Sequence, residues 1–159
     1  MNIRKAFPQD MDSIMDIIAY SRGIMRANGN ATQWANGYPS RALMQQCLEN
    51  NELFVCVSGE APVGVFCFAV APDPTYNKIE GAWLNDAPYG VIHRLATNGR
   101  VRGIADAVLR WCFEQHPNIR VDTHKDNTIM QHIFKKLGYE YCGIIYVSDG
   151  TPRLAFQKV

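Results

Sequence analysis

Apolar and polar residues follow two different periods along the chain, and each period predicts one kind of element. Apolar positions at helical spacing predict helices over residues 11–25, 41–50, 103–116 and 127–137. Short apolar or alternating runs predict strands over residues 3–6, 53–58, 63–70, 89–97, 119–124, 139–147 and 154–159. Ser40 is placed to cap the start of the second helix, and Gly138 is placed to end the fourth.

The order of these elements predicts the fold class. Strands alternate with helices in the middle of the chain, and neighbouring strands pair locally at its ends, with residues 59–62 as the turn of one hairpin. No repeat, linker or low-complexity segment interrupts the 159 residues. We therefore predict one α/β or α+β domain over residues 1–159, with a mixed sheet and enough chain for a sizeable core.

Composition narrows the range of partners. The chain has 16 basic and 15 acidic residues and no run of lysines and arginines, which argues against a nucleic-acid partner. The five cysteines are widely spaced and form no C-x-x-C pair, so we expect buried free thiols in a reducing compartment and no metal site. The N-terminus lacks the apolar core of a signal peptide, and no apolar stretch is long enough to span a membrane. A cytoplasmic protein without a membrane partner is the resulting expectation.

A strand, a glycine turn and a helix follow one another over residues 89–115, an arrangement typical of phosphate sites. Backbone N–H groups at a helix N-terminus converge on an anion, and the helix dipole adds to the attraction. Gly103 lets the backbone approach a ligand closely, the small Ala105 leaves room, and Arg100 and Arg102 add positive charge. Another phosphate or nucleotide ligand would also suit this unit, although neither G-x-x-x-x-G-K-[ST] nor G-x-G-x-x-G is present.

The sequence RVRGIA, residues 100–105, matches the pattern Q/R-x-x-G-x-G/A, and with it the chain resembles the GNAT superfamily of N-acetyltransferases. A second match, RANGNA at residues 26–31, follows a helix and leads into a turn-rich loop, so we assign only residues 100–105 to phosphate. Residues 121–143 resemble the family's later region, where a strand leads to an Asn and to a helix ending in LGF or LGY. The resemblance implies a mostly antiparallel central sheet flanked by helices, with acetyl-CoA as the acetyl donor.

The resemblance also implies a set of site residues. The strand backbone before the turn would pair with the pantetheine arm and polarise the thioester carbonyl, and the turn would bind the pyrophosphate. The implied cofactor-binding residues are Leu95, Ala96, Thr97, Arg100, Val101, Arg102, Gly103, Ile104, Ala105, Asn127 and Phe134. The implied acceptor-binding residues are Trp34, Tyr38, Trp83 and Asp122. Packing is the alternative for the aromatic residues, and capping of the fourth helix is the alternative for Asn127.

Two positions depart from the family pattern. The interval between Thr97 and Arg100 is about two residues shorter than usual, which makes the entry to the phosphate turn unusual. By its spacing from Asn127, Phe134 stands where a tyrosine often protonates the departing thiolate. Tyr139 and Tyr141 are the substitutes, and a thiol pKa of about 8.5 also lets the thiolate leave without an acid.

Direct transfer requires a neutral amine, yet at neutral pH an amine of pKa about 10 is neutral in only about one molecule in a thousand. A general base is therefore expected, and the candidates are His93, Glu80, Asp122 and His124. We favour His93, because it shares strand parity with the thioester-facing backbone and a free imidazole has a pKa of about 6.5. Glu80 is second. The alternatives are a hydrogen-bonded core histidine and a solvated loop carboxylate, respectively.

These observations favour N-acetyl transfer from acetyl-CoA to a primary amine of a small molecule or peptide by direct attack. A non-catalytic acyl-CoA sensor or interaction module is the alternative, and the missing tyrosine favours it. The sequence leaves the acceptor open, and it leaves the oligomeric state open between a monomer and a homodimer.

Overall fold

The computed structural model describes residues 1–159. Its helices are α1 (Met11–Ala27), α2 (Arg41–Glu49), α3 (Ile104–Gln115) and α4 (Thr128–Lys136). Its strands are β1 (Asn2–Lys5), β2 (Leu53–Ser58), β3 (Ala61–Val70), β4 (Glu80–Gly81), β5 (Gly90–Thr97), β6 (Ile119–Thr123), β7 (Glu140–Tyr146) and β8 (Pro152–Lys158). None of the helices is long and apolar enough to cross a membrane.

The strands form one sheet in the order β1-β2-β3-β5-β6-β8-β7-β4. β5 and β6 pair in parallel at Gly90↔Ile119 and Val91↔Arg120, and β5 continues beyond this ladder to Thr97. Antiparallel ladders join β1 to β2, β2 to β3, β6 to β8, β7 to β8 and β4 to β7. The sheet is therefore mixed and mostly antiparallel, which confirms the predicted fold class.

The predicted helices and strands are all present, with ends within two residues of the expected ones. The four-residue hairpin turn at residues 59–62 is wrong, because β3 already begins at Ala61. Gly59, with φ +66, allows a turn of only two residues. Pro62 enters the ladder opposite Val57, where the register shifts, and proline is tolerated at such irregularities.

The short strand β4 was not predicted. It pairs with β7 through Glu80↔Ile144 and Gly81↔Gly143. A Cβ on Gly81 would lie 2.1 Å from the Cys142 carbonyl oxygen, so only glycine permits this close approach of the two strands. Two residues are too few to display an alternating pattern, which is why the periodicity does not reveal the strand.

The chain divides into two compact units, and the first comprises Met1–Phe68 and His93–Val108. Its core lies where the apolar faces of α1 and α2 cover β2 and β3, and includes Ile14, Ile18, Met44, Leu53, Val55 and Val65. Burial of each such side chain stabilises the fold by about 1.5–3 kcal/mol. The Ser40 hydroxyl accepts the Leu43 N–H over 3.1 Å and caps α2, as predicted.

The second unit comprises Ala69–Ile92 and Leu109–Val159. Tyr76 is fully buried there and packs against the rings of Trp83 and Tyr89, with centroids 5.1 and 6.1 Å away. The Arg120 guanidinium lies over the same two rings, 4.3 Å from the Trp83 centroid and 4.0 Å from that of Tyr89. These cation–π contacts hold the segment before β5 against β6 within this unit.

Candidate active site

The N-terminus of α3 lies directly after β5, in the first unit. The Ala107 N–H donates to the Gly103 carbonyl over 3.0 Å and closes the first turn, so the N–H of Ile104 precedes the first intrahelical bond. Gly103 has φ +77, and no heavy atom lies within 4 Å of the position of a Cβ there. The side chains of Arg100 and Arg102 are exposed. An accessible backbone of positive potential flanked by two cations fits a diphosphate.

The second match to the phosphate pattern, residues 26–31, has the opposite polarity. It ends α1: the Asn28 N–H donates to the Ile24 carbonyl over 3.0 Å, and Gly29 has φ +82. A helix C-terminus exposes carbonyl oxygens and a negative potential, which disfavours an anion. The geometry therefore supports the assignment of the pattern to residues 100–105 and not to residues 26–31.

The backbone at the end of β5 already has a partner at Thr97. The Ser21 hydroxyl donates to the Thr97 carbonyl over 2.8 Å and accepts the Thr97 N–H over 3.0 Å. The carbonyl keeps a second lone pair for another donor, whereas the N–H is used. A pantetheine arm that paired with the Thr97 N–H would have to displace Ser21.

Arg94 interrupts β5 with φ +54, a left-handed conformation that costs a non-glycine residue roughly 1–2 kcal/mol. Its side chain is half-buried, its Nε donates to the Tyr38 hydroxyl over 3.1 Å, and its Nη1 lies 3.8 Å from Cys67 Sγ. Burial opposes the charge, yet Tyr38 and Cys67 raise the pKa of Arg94, which is therefore a permanent cation. Arg22 holds the same loop by donating to the Tyr38 carbonyl over 3.0 Å.

Two thiols lie beside this arginine. Cys47 donates a hydrogen bond to Cys67, with the sulfur atoms 2.6 Å apart. This bond is the main cause that lowers the pKa of Cys67, with Arg94 and His93 acting in the same direction, and it raises the pKa of Cys47. All five cysteines of the chain are buried and free, as the sequence predicts. His93, the favoured base, is half-buried on β5 near this thiol pair.

In the second unit, two of the predicted acceptor-binding residues, Asp122 and Trp83, form hydrogen bonds with one tyrosine, Tyr76. The Tyr76 hydroxyl donates to Asp122 over 2.6 Å, and Trp83 Nε1 donates to the Tyr76 carbonyl over 2.9 Å. Burial raises the pKa of Tyr76, and the charge of Asp122 adds to the effect. Tyr76 therefore remains a hydrogen-bond donor that fixes the orientation of the Asp122 carboxylate.

The remaining base candidates also lie in the second unit. His124 Nδ1 accepts the Asp126 N–H over 3.0 Å, which places the proton of the neutral ring on Nε2. Burial, with the charge of Arg153 in support, lowers the pKa of His124 and favours this neutral form. Glu80 is exposed on β4 and accepts the Tyr146 hydroxyl over 2.9 Å. Its surroundings are those of a solvated carboxylate.

The region predicted to lie near the leaving group is apolar. Phe134 is 4% exposed and packs on the Tyr139 ring, with centroids 5.5 Å apart. The Tyr139 hydroxyl is buried without a hydrogen-bond partner, and burial raises its pKa. Tyr141, the other substitute acid, is 55% exposed. A buried phenol of raised pKa retains its proton and is a weak acid at neutral pH.

Two predicted site residues have structural contacts of their own. The Asn127 side chain accepts the Met130 N–H over 3.1 Å and caps α4, the alternative that the sequence left open. Trp34 is 7% exposed and belongs to the core of the first unit. Any further role of Asn127 or Trp34 in ligand binding must use side-chain atoms that these contacts leave accessible.

Sequence reasoning missed Arg94 and Ser21. The signal for Arg94 was present, since an arginine inside the largely apolar run GVIHRLA needs a reason to be there. Ser21 had no local signal, because its partner Thr97 lies 76 residues further along the chain.

Comparison with solved structures finds a relative that is similar in sequence as well as in fold. A GNAT-family acetyltransferase from Streptococcus agalactiae is 37% identical, with 99% of this chain and 94% of that chain covered and a TM-score of 0.91. A putative acetyltransferase from Staphylococcus aureus (19% identity, 99% and 98% covered, TM-score 0.74) and a ribosomal-protein-alanine N-acetyltransferase from Brucella melitensis (17%, 100% and 99%, 0.67) share the fold. No protein-family model and no curated protein matches the sequence.

Proposed function

The chain belongs to the GNAT acetyltransferase family, and on this premise we propose that it transfers the acetyl group of acetyl-CoA to a primary amine of a small molecule or peptide. The observation that carries the proposal is the N-terminus of α3, where Gly103 leaves the backbone open to an anion. Residues 100–105 bind the pyrophosphate of acetyl-CoA in this proposal. The half-buried His93, on the preceding strand, serves the acceptor amine.

The backbone supplies more of the pyrophosphate affinity than the two arginines. Arg100 and Arg102 are exposed, and exposed ion pairs contribute about 0–1 kcal/mol each. The N–H groups of the α3 N-terminus are fixed in direction, and a ligand that meets them displaces only water. A carboxylate placed among these groups would repel the ligand, which costs several kcal/mol.

The reaction is a direct substitution at the thioester. A base removes a proton from the ammonium form of the acceptor, and the amine nitrogen then attacks the carbonyl carbon. The C–N bond forms and the C–S bond breaks. The nitrogen then loses a second proton, which neutralises the departing CoA thiolate. An imidazole suits this proton transfer, because a general base works best when its pKa lies near the operating pH.

Protonation of the leaving group needs no dedicated side chain in this proposal. Phe134 offers no proton, and the Tyr139 hydroxyl is buried and retains its own. A CoA thiolate with a pKa of about 8.5 leaves readily and can take its proton from the amine nitrogen or from water.

The chain offers a matched pair of glycines to test the pyrophosphate site. Gly103 and Gly29 have φ +77 and +82, and neither has a heavy atom within 4 Å of a Cβ position. Glutamate therefore strains both positions alike, but only Gly103 lies at a helix N-terminus. We expect Gly103→Glu to raise the Kd of acetyl-CoA by about 100-fold or more. Gly29→Glu should leave the Kd unchanged in calorimetric titrations.

Two outcomes would contradict the proposed site: an unchanged acetyl-CoA affinity in folded Gly103→Glu, or an equal loss in Gly29→Glu. Thermal unfolding of both variants checks that they are folded. Release of free thiol with a panel of amines then tests the reaction itself. Tight binding of acetyl-CoA without thiol release from any amine would favour the non-catalytic sensor.

A further inference from the structure

Arg94 is a cation that no carboxylate of the protein pairs with. The guanidinium has five N–H groups, of which Nε uses one on the Tyr38 hydroxyl and Nη1 lies 3.8 Å from the thiol of Cys67. No carboxylate contacts it. Arg4, by contrast, pairs with Asp10 over 2.8 Å. Tyr38 and Cys67 keep the half-buried guanidinium charged, and its remaining N–H groups are available to an anion that a ligand supplies.

The backbone at Arg94 is strained as well. A left-handed φ of +54 inside a strand is unfavourable for arginine, and such strain persists where the side chain must be aimed in a particular direction. Arg94 Nη1 lies 3.8 Å from Cys67 Sγ and the charge of His93 acts on the same thiol, so a group bound by the guanidinium would lie in the neighbourhood of the imidazole that serves the acceptor amine in the proposed function.

Tyr38 provides a second donor at the same place. Its hydroxyl accepts from Arg94 Nε, which leaves the phenolic hydrogen for another acceptor. The tyrosine is 40% exposed, so a ligand can reach it. Arg22 holds the loop by donating Nε and Nη2 to the Tyr38 carbonyl over 3.3 and 3.0 Å. Two donors, one of them charged, thus converge on a small accessible site.

We propose that Arg94 and Tyr38 bind a carboxylate of the acceptor, so that the acceptors of this enzyme are amines with a carboxylate in the same molecule. This inference rests on the proposed function and names its substrate class. The planar fork of the guanidinium matches the two oxygens of a carboxylate. One uncompensated positive charge suits a monoanion better than a phosphate dianion.

Matched acceptors test the inference: L-amino acids against their amides, and dipeptides against their C-terminal amides. We expect thiol release to favour the carboxylate members, with lower KM values. Arg94→Gln should raise KM for the acceptors that carry a carboxylate about 10- to 100-fold, which corresponds to the loss of one charge-assisted hydrogen bond. The amides should be affected less than about threefold. Tyr38→Phe should raise KM less than Arg94→Gln, and Arg110→Gln, an exposed arginine of α3, should change nothing.

Thermal stability supplies a readout that does not depend on turnover. A ligand that binds the folded protein raises its melting temperature, so an N-acetylated amino acid should raise the melting temperature of the wild type but not that of folded Arg94→Gln. An equal rise in both proteins, or no rise in the wild type, would overturn the inference, and so would amides that are turned over as well as the acids. In the latter case the proposed acetyl transfer still stands. If no amine is turned over although acetyl-CoA binds, the proposed function fails, and with it the substrate class.

Discussion

His93 and Arg94 are neighbours on β5, and the backbone conformation of Arg94 affects the prediction made for His93. The sequence argument for His93 counted strand parity from residue 93 to residues 95 and 97, and such counting assumes an extended backbone throughout. Arg94 has φ +54, so the alternation of side chains is interrupted between His93 and Leu95. A single left-handed residue cannot be read from the sequence, because arginine has no preference for that conformation. The role of His93 therefore stays a prediction that kinetics must test.

Replacement of His93 by alanine should lower kcat/KM about 10²- to 10⁴-fold, the usual effect of losing a general base. The base works only when deprotonated, so kcat/KM of the wild type should rise with pH through one ionisation near neutrality and level off above it. The variant should lack this rise and should keep its affinity for acetyl-CoA. Steady-state rates between pH 5.5 and 9 measure both effects.

The other candidate bases serve as controls for that experiment. Glu80→Gln, Asp122→Asn and His124→Gln should each retain the rise with pH. If one of them loses it while His93→Ala does not, that residue is the base. The lowered pKa of His124 would in that case shift the rise below about pH 6.5, because the folded environment favours the neutral ring.

Phe134 tests whether the leaving thiolate needs an acid. Phe134→Tyr adds a hydroxyl at a position that is 4% exposed and packed on Tyr139. If Phe134 lies beside the sulfur of the cofactor, kcat should stay similar or rise modestly. We expect acetyl-CoA affinity to be unchanged in titrations. A large loss of kcat with unchanged affinity would show that no hydroxyl is tolerated there, and the placement of Phe134 would be wrong.

At the scale of elements, the two capped helices allow the structural and ligand roles of Asn127 to be separated. Asn127 caps α4 by accepting the Met130 N–H, and Ser40 caps α2 by accepting the Leu43 N–H, both over 3.1 Å. Replacement of either cap by alanine should lower the free energy of unfolding by about 1 kcal/mol in urea titrations. Only Asn127→Ala should also raise the Kd of acetyl-CoA. Equal affinity in both variants would reduce Asn127 to a cap.

Elements were predictable where their signals are local. Ser40 and Gly138 mark helix ends by their chemistry, and both mark them in the structure. The strand β4 escaped prediction because its existence depends on the close approach of Gly81 to the Cys142 carbonyl, which lies about sixty residues away in sequence. Similarly, the phosphate pattern occurs twice in the sequence. Only the flanking elements indicate that Gly103 begins a helix and Gly29 ends one.

At the scale of the whole molecule, the sequence predicts a mixed sheet but not its order. Adjacent strands such as β2 and β3 follow from their hairpin, whereas the insertion of β8 between β6 and β7 requires knowledge of distant contacts. Within each unit, side-chain contacts likewise join residues that are far apart in sequence. Thr97 binds Ser21 in the first unit, and Asp122 binds Tyr76 in the second. Side chains far apart in sequence meet only after the sheet has formed, so candidate residues could be named but not grouped.

A partly buried ion pair of the first unit contributes to stability against acid. Asp10 accepts Arg4 Nη1 over 2.8 Å and the Phe7 N–H over 2.7 Å, and its side chain is 10% exposed. The bond from Arg4 is the main cause that lowers the pKa of Asp10, against the opposing effect of burial. A carboxyl whose pKa is lower in the folded state stabilises the protein above its unfolded pKa of about 3.9. This contribution is lost as pH falls through the folded pKa.

Asp10→Asn should therefore lower the free energy of unfolding by about 1–3 kcal/mol at pH 7, the value of hydrogen bonds to a charged group. The difference from the wild type should shrink below about pH 4, because the proton then binds the unfolded chain and favours unfolding, and it is lost once the folded carboxyl is protonated as well. Asp12→Asn is the matched control: Asp12 bonds Arg41 over the same 2.8 Å, but the two side chains are 89% and 58% exposed. Exposed pairs contribute little, so this variant should differ from the wild type by less than about 0.5 kcal/mol at any pH. Urea titrations between pH 3 and 8 compare the three proteins, and a loss in Asp10→Asn that does not depend on pH would mean that shape rather than charge holds Arg4 in place.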